Sequence, residues 1–157
     1  MDTGIDPFDV LLEQHDALAD LFACHQEALL DRRWTEAARL LEEYDGQLRR
    51  HMRLEEEHLL PRCEHAQARW PARVYRAEHR RIEQLMERTA EQLTNARRLG
   101  ITPAALISLL DEERTLKHLL EHHHEREEKG LFGELRGELS GASRCALAAE
   151  LMASARH

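Results

Sequence analysis

Residues 48–61 read LRRHMRLEEEHLLP, and residues 120–133 read LEHHHEREEKGLFG. In both stretches a histidine stands four residues before a glutamate, and a bulky pair follows four residues after the glutamate. In an α-helix, residues four apart lie on one face, with Cβ atoms about 5–6 Å apart. Each stretch therefore predicts a helix that presents one imidazole and one carboxylate from a single face.

Each of these stretches is preceded by a helical segment with a lone histidine on its apolar face. His15 follows Glu-Gln in the first half, and His79 follows Ala-Glu in the second half. The order of a lone histidine, a His-x-x-x-Glu pair and a bulky pair thus occurs twice. This order indicates an internal repeat whose copies each cover roughly half the chain.

Apolar residues recur at helical spacing through four long segments. The segments begin near Pro7, Trp34, Pro71 and Pro103, and they end near Leu30, Pro61, Leu99 and Gly130. Pro61 is expected to kink or end the second helix. A short helix from Ser143 to about Ala155 should pack on the outside or the end. We predict an all-α, up-down-up-down four-helix bundle in a single domain over 1–157, with the bundle at about 8–133 and a C-terminal helical extension at about 140–156.

The composition agrees with a helical domain and excludes several function classes. Of the 157 residues, 33% are charged and only 7 are Gly and 4 Pro, and the net charge of −8 argues against a nucleic-acid binder. No stretch approaches the roughly 20 apolar residues of a membrane span, and nothing resembles a signal peptide. The 3 cysteines are widely spaced without a C-x-x-C pair, which argues against a thiolate zinc site. A reducing cytoplasm is the expected location.

The chain has 11 histidines, and four of them fall on predicted inward faces together with two glutamates. Taken singly, such a histidine is usually a hydrogen-bonded core residue, and a His-x-x-x-Glu pair is commonly on the surface. The repeat favours a metal site, because cations would compensate carboxylates that are costly to bury alone. Imidazole with carboxylate suits iron, manganese or zinc, and two carboxylates that can each bridge suggest two ions. The predicted ligands are His15, His51, Glu55, His79, His123 and Glu127.

Two further residues compete for a place among the ligands. Glu83 follows His79 by four residues, so it is a candidate extra ligand, an outer partner or a solvated side chain. His122 lies five residues before Glu127 and is an alternative to His123 at the closing position. His123 is favoured because it shares a face with the preceding leucines of its helix and matches the first copy of the repeat.

Two more side chains are candidates for roles beside the metals. His58 lies one turn after Glu55 and is expected to line the site. Tyr44 lies seven residues before His51 on the same face, where it could donate a hydrogen bond or simply pack. Met52 is predicted to fill the core.

This set of residues resembles the hemerythrin-like, or HHE cation-binding, domains over about residues 8–133. Their pattern is an isolated histidine, a His-x-x-x-Glu, a third-helix histidine and a closing histidine with a carboxylate. The resemblance implies a non-haem di-iron centre bridged by Glu55, Glu127 and an oxo or hydroxo group, with zinc or manganese as alternative metals.

Two departures separate the chain from the O₂-carrying hemerythrins. Those proteins have His-x-x-x-His on the third helix, where this chain has Glu83, and they close with His-x-x-x-x-Asp, where this chain has His123-x-x-x-Glu127. The chain is similar to a variant branch with the order H, HxxxE, H, HxxxE. This argues against simple O₂ carriage.

The resemblance implies a protein that binds or senses O₂, nitric oxide or peroxide, as in a stress response. The alternative is a di-iron enzyme that decomposes peroxide or reduces nitric oxide, with His58, Tyr44 or Glu83 handling protons. Iron storage or repair is a third reading, less favoured because repair members carry an N-terminal cysteine segment. We favour binding over catalysis, with a small diatomic ligand or peroxide as partner and no nucleic acid or membrane. A homodimer is left open.

Overall fold

The computed structural model describes residues 4–63 and 68–154, and this part of the chain is helical with no strand. The predicted all-α bundle is confirmed. Its elements are α1 (Pro7–Leu30), α2 (Trp34–Leu54), π1 (Glu55–Leu59), α3 (Leu60–Cys63), α4 (Ala72–Leu99), α5 (Pro103–Arg126), π2 (Glu127–Leu131), α6 (Phe132–Glu138) and α7 (Gly141–Ser154). Two of the four long rods are composite: α2, π1 and α3 are continuous, and so are α5, π2 and α6.

Local signals define where the helices begin. The Asp6 carboxylate accepts a hydrogen bond from the Phe8 backbone N–H at 2.8 Å, and a proline occupies the first position of α1. At α5, the Thr102 hydroxyl accepts from the Ala105 N–H at 3.1 Å, again with a proline first. Both are N-caps that satisfy a free backbone donor. Gly100 ends α4 with a φ of +91°, which only glycine adopts readily.

The four rods pack as a closed ring. α1 lies against α2 and α5, and α4 lies against the same two helices. The apolar core is divided into two clusters, one containing Phe22, Leu48 and Leu116 and the other containing Phe8, Leu59, Leu131 and Leu151. On each long rod, the predicted metal-binding histidine lies between residues of the two clusters. A polar layer therefore crosses the middle of the bundle.

The second and fourth rods continue past the residues expected to end them. The second runs through Pro61 to Cys63, and the fourth runs through Gly130 to Glu138. The π1 turn ends at Leu59, two residues before Pro61, and Pro61 is the second residue of α3, where a proline is tolerated because it begins a new helical segment. A helical glycine costs about 1 kcal/mol, which is too little to end a well-packed helix.

The C-terminal helix α7 packs against α1. It buries Leu147 and Leu151 in the cluster that contains Phe8. The last residues of the predicted extension, together with His65 and His157, lie outside the described residues. Among the described helices, none combines the length and apolarity required to cross a bilayer.

Candidate metal centre

Four imidazoles meet in two pairs within the polar layer. His15 of α1 and His51 of α2 bring their Nε2 atoms to 3.0 Å from each other. His79 of α4 and His123 of α5 bring theirs to 3.1 Å. All four rings are buried, with exposed fractions of 4% or less. The repeat seen in the sequence therefore becomes an approximate two-fold arrangement, with one pair from each half of the chain.

Two fully buried glutamates lie between the pairs. Oε1 of Glu55 is 3.0 Å from Nε2 of His51 and 3.7 Å from Nε2 of His79. Oε1 of Glu127 lies 3.4 and 3.3 Å from Nε2 of the other member of each pair. Neither carboxylate has a hydrogen-bond partner within the described part of the chain. Each carboxylate thus faces one imidazole of each half, which is the placement that a bridging ligand requires.

The outer nitrogen of every imidazole contacts an oxygen that can only accept. The Nδ1 distances are 2.9 Å from His15 to Glu128, 2.6 Å from His51 to Gln14, 2.8 Å from His79 to Glu56 and 2.9 Å from His123 to Glu78. Each Nδ1 must therefore carry a hydrogen, which leaves a lone pair on Nε2 of the neutral ring. Lone pairs that face each other at this distance repel unless a cation lies between them. Metal-binding histidines are held in this way, by an outer hydrogen bond to a carboxylate or carbonyl oxygen.

The π turns connect the two halves. Each begins at its buried glutamate, and the N–H of the residue after the turn bonds back to that glutamate's carbonyl. The next residue of each turn, Glu56 or Glu128, accepts from the lone histidine of the opposite half. Sequence reasoning missed these acceptors. The signal was present, since a second glutamate follows both buried glutamates and a polar residue precedes both lone histidines.

His124 is a further histidine of the site that sequence reasoning missed. Its ring stacks on that of His15, with centroids 3.8 Å apart and 10° between the planes. Its Nε2 is buried without a hydrogen-bond partner among the described residues. Two groups of side chains have ligand atoms within 4.8 Å of one another: His15, His51, His124 and Glu127, and Glu55, His79, His123 and Glu127. In the repeat, His124 corresponds to Met52. Because Met52 was predicted to point into the core, the repeat could have indicated that His124 also points inward.

The protonation states follow from burial and from neighbouring groups. Burial acts to raise the pKa of Glu55, but the imidazoles of His51 and His79 outweigh it and hold that pKa well below its usual value. Burial lowers the pKa of His123. Burial, with smaller contributions from nearby imidazoles, lowers the pKa of His124 to about 2. Ionised carboxylate and neutral imidazole are the forms that bind a metal ion.

His79 differs from these histidines. Burial acts to lower its pKa, but the carboxylates of Glu55 and Glu56 outweigh burial and raise it. The His79 ring, which lies beside the buried Glu55 carboxylate, therefore attracts a proton. A metal cation at the same position would replace that proton.

The other predicted residues lie apart from the cluster. Glu83 is partly exposed, with its carboxylate 3.9 Å from the Arg49 guanidinium. His58 lies 3.1 Å from the Glu150 carboxylate of α7. His122 is exposed to solvent, so the structure brings His123 to the centre in its place.

A cavity of about 90 Å³ lies between α1 and α5 and reaches the cluster. His15, His124 and Tyr44 line it together with apolar side chains, and the exposed Lys117 and Glu121 also border it. Since about 10–15 Å³ of such space is enough to hold one water molecule, the cavity has room for a molecule of at least two or three heavy atoms.

A family model described as "Hemerythrin HHE cation binding domain" matches residues 6–135. This range includes all six predicted ligands and His124, and it ends before α7. No curated protein and no solved structure matches the chain significantly.

Proposed function

Because the chain belongs to the hemerythrin HHE cation-binding family, we propose that it binds two iron ions and uses them to bind or sense a small molecule. The observation that carries this proposal is the pair of Nε2–Nε2 contacts at 3.0 and 3.1 Å, with every Nδ1 bound to an acceptor. That arrangement leaves four lone pairs and two carboxylates facing each other in a buried space. Cations bound between these groups would resolve this conflict.

In this proposal each ion takes one imidazole pair, and Glu55 and Glu127 bridge the two ions. The buried oxygens of both carboxylates have no hydrogen-bond partner among the described residues, which agrees with a role as ligands. Iron suits imidazole with carboxylate, while zinc and manganese accept the same donors. Bound iron would supply a Lewis-acidic, redox-active centre for O₂, nitric oxide or peroxide.

The residues around the cluster support binding of a small molecule. The cavity between α1 and α5 admits two or three heavy atoms, and its largely apolar walls suit an uncharged diatomic molecule. Three side chains were predicted to handle protons in an enzyme, and of these Tyr44 lines this cavity. His58 lies against the Glu150 carboxylate and Glu83 lies near the Arg49 guanidinium, so neither faces the cluster. We therefore place binding or sensing before catalysis.

Metal content tests the central claim. After growth with iron, we expect elemental analysis to give about two metal ions per chain in the wild type. Glu55→Ala and His123→Ala should each lose metal, because each removes one of the ligands. His118→Ala is the matched control, since His118 is an exposed histidine on the same helix as His123. Less than one metal ion per chain in the wild type would contradict the proposal.

The visible spectrum tests the second part. Iron-loaded protein prepared without oxygen should change its absorption when O₂, nitric oxide or peroxide is added in turn. At least one of these additions should produce a change that Glu55→Ala does not show. An unchanged spectrum with all three would show that the metal pair does not bind these molecules.

A further inference from the structure

His124 stands at the boundary between the cavity and the imidazole cluster. It is a member of the group of possible ligands around His15 and His51, and it also lines the cavity. Its ring lies parallel to that of His15 and nearly perpendicular to that of His51, at 79°. A small molecule that enters the cavity therefore meets this imidazole beside the first histidine pair.

The orphaned nitrogen of His124 points to a ligand. Nε2 is buried without a hydrogen-bond partner among the described residues, and leaving such an atom unsatisfied is costly. One nitrogen of the His124 ring lies within 4.8 Å of ligand atoms of His15, His51 and Glu127, and a neutral imidazole nitrogen can bind a metal ion. No protein donor is positioned there in the described part of the chain.

The first half of the repeat has no histidine at the position that corresponds to His124. The residue equivalent to His124 is Met52, which is buried in the apolar core. The third helix also lacks an additional histidine, because Glu83 stands there and lies near Arg49. The fifth histidine of this site thus comes from α5, and it is on the side of the first histidine pair.

We propose that His124, once its ring rotates out of the stack on His15, is an exchangeable ligand of the ion that His15 and His51 would hold, and that a small molecule entering the cavity must displace its imidazole. The inference rests on the proposed metal centre. It makes binding selective for good metal ligands, because the imidazole competes with every incoming molecule for the same position on the ion. If the imidazole is bound nine-tenths of the time, the apparent affinity for a competing ligand falls about tenfold.

Azide, a three-atom anion that binds iron, is the probe. We would load the wild type, His124→Met and His122→Ala with iron, measure metal content, and titrate each with azide by visible absorption. Methionine is chosen because it is the residue at the equivalent position of the other half. His122→Ala controls for loss of a neighbouring exposed histidine. The expected result is two irons in all three proteins and azide binding about tenfold tighter in His124→Met alone.

The other outcomes are also decisive. Equal azide affinity in His124→Met and the wild type, with two irons in both, would overturn the role of His124 while the metal centre stands. Loss of one iron from His124→Met, restored by free imidazole, would support ligation by His124, and failure of imidazole to restore it would overturn ligation. Absence of an iron pair from the wild type would instead refute the proposed function itself.

Discussion

His25 lies ten residues after His15 on α1, about 15 Å further along the helix, and has a different kind of partner. Its Nδ1 donates to the Ala37 carbonyl at 2.7 Å, and its Nε2 is 3.0 Å from the Glu113 carboxylate. Both side chains are completely buried. Because Nδ1 already carries a hydrogen, Nε2 can meet the carboxyl group only if the pair holds one more proton. This pair is a shared-proton contact within the apolar core.

The His25 pair gives a prediction about stability. His25→Ala leaves the Glu113 carboxyl group buried and alone, so the free energy of unfolding should fall by about 3–5 kcal/mol. Glu113→Gln should cost only about 1 kcal/mol, because its amide N–H can donate to the neutral ring. Urea denaturation at a fixed metal concentration would measure both. Similar losses in the two variants would contradict the shared-proton interpretation.

At this scale the sequence predicted the six repeating residues that the structure brings together in the polar layer, since periodicity and spacing report which face a residue occupies. It did not identify His124 or the partner of His25. Those contacts depend on how helices distant in the sequence are placed against each other. The run of three histidines at 122–124 also left His122 and His123 as alternatives, and packing brings His123 and His124 inward.

The two π turns are the elements that distinguish this bundle from four regular helices. Both start at a buried glutamate and end at the first residue of a buried bulky pair, Leu59 with Leu60 and Leu131 with Phe132. A π turn holds one more residue than an α turn, and such turns are frequent at functional sites. Each turn contains two consecutive glutamates. The first is buried beside the imidazole pairs, and the second accepts a hydrogen bond from the lone histidine of the other half.

Removing the extra residue of π2 tests this role. Lys129 is exposed and pairs with the Glu125 carboxylate on the same rod. Its deletion should convert the π turn to an α turn while the core residues after it stay in place. We expect a folded helical protein by circular dichroism that binds fewer than two metals. Lys129→Ala, which keeps the length of the turn, should retain both, and full metal content in the deletion would argue against a role for the turn.

The helix boundaries show which features of an element can be predicted from its own sequence. Caps and prolines defined the starts of α1 and α5, because these signals act on the backbone beside them. The end near Gly130 was predicted wrongly, because tertiary packing outweighs one breaking residue, whereas the described helix continues only to Cys63 after Pro61. A π turn has no local sequence signature of its own, and the paired bulky residues after each glutamate are explained only once the turn is seen.

In the whole molecule, the proposed metal pair is a cross-link between the halves. All four long rods contribute an imidazole, and each buried glutamate faces an imidazole of the other half as well as one of its own. Without cations, the polar layer between the two apolar clusters contains buried carboxylates and opposed lone pairs. Folding and metal binding should therefore be strongly coupled.

Chelation measures this coupling. At a free iron concentration about 100 times the dissociation constant, each ion adds about 2.7 kcal/mol to the free energy of unfolding. For a chain of this size, about 1 kcal/mol shifts Tm by roughly 2–4 °C, so removal of even one ion should lower Tm by about 5–10 °C. His118→Ala should show the same loss as the wild type. Glu55→Ala should begin with a low Tm that chelator barely changes, because it has already lost the metal. If the wild type released its metal without a change in Tm, the polar layer would be stable without cations and the cross-link would be absent.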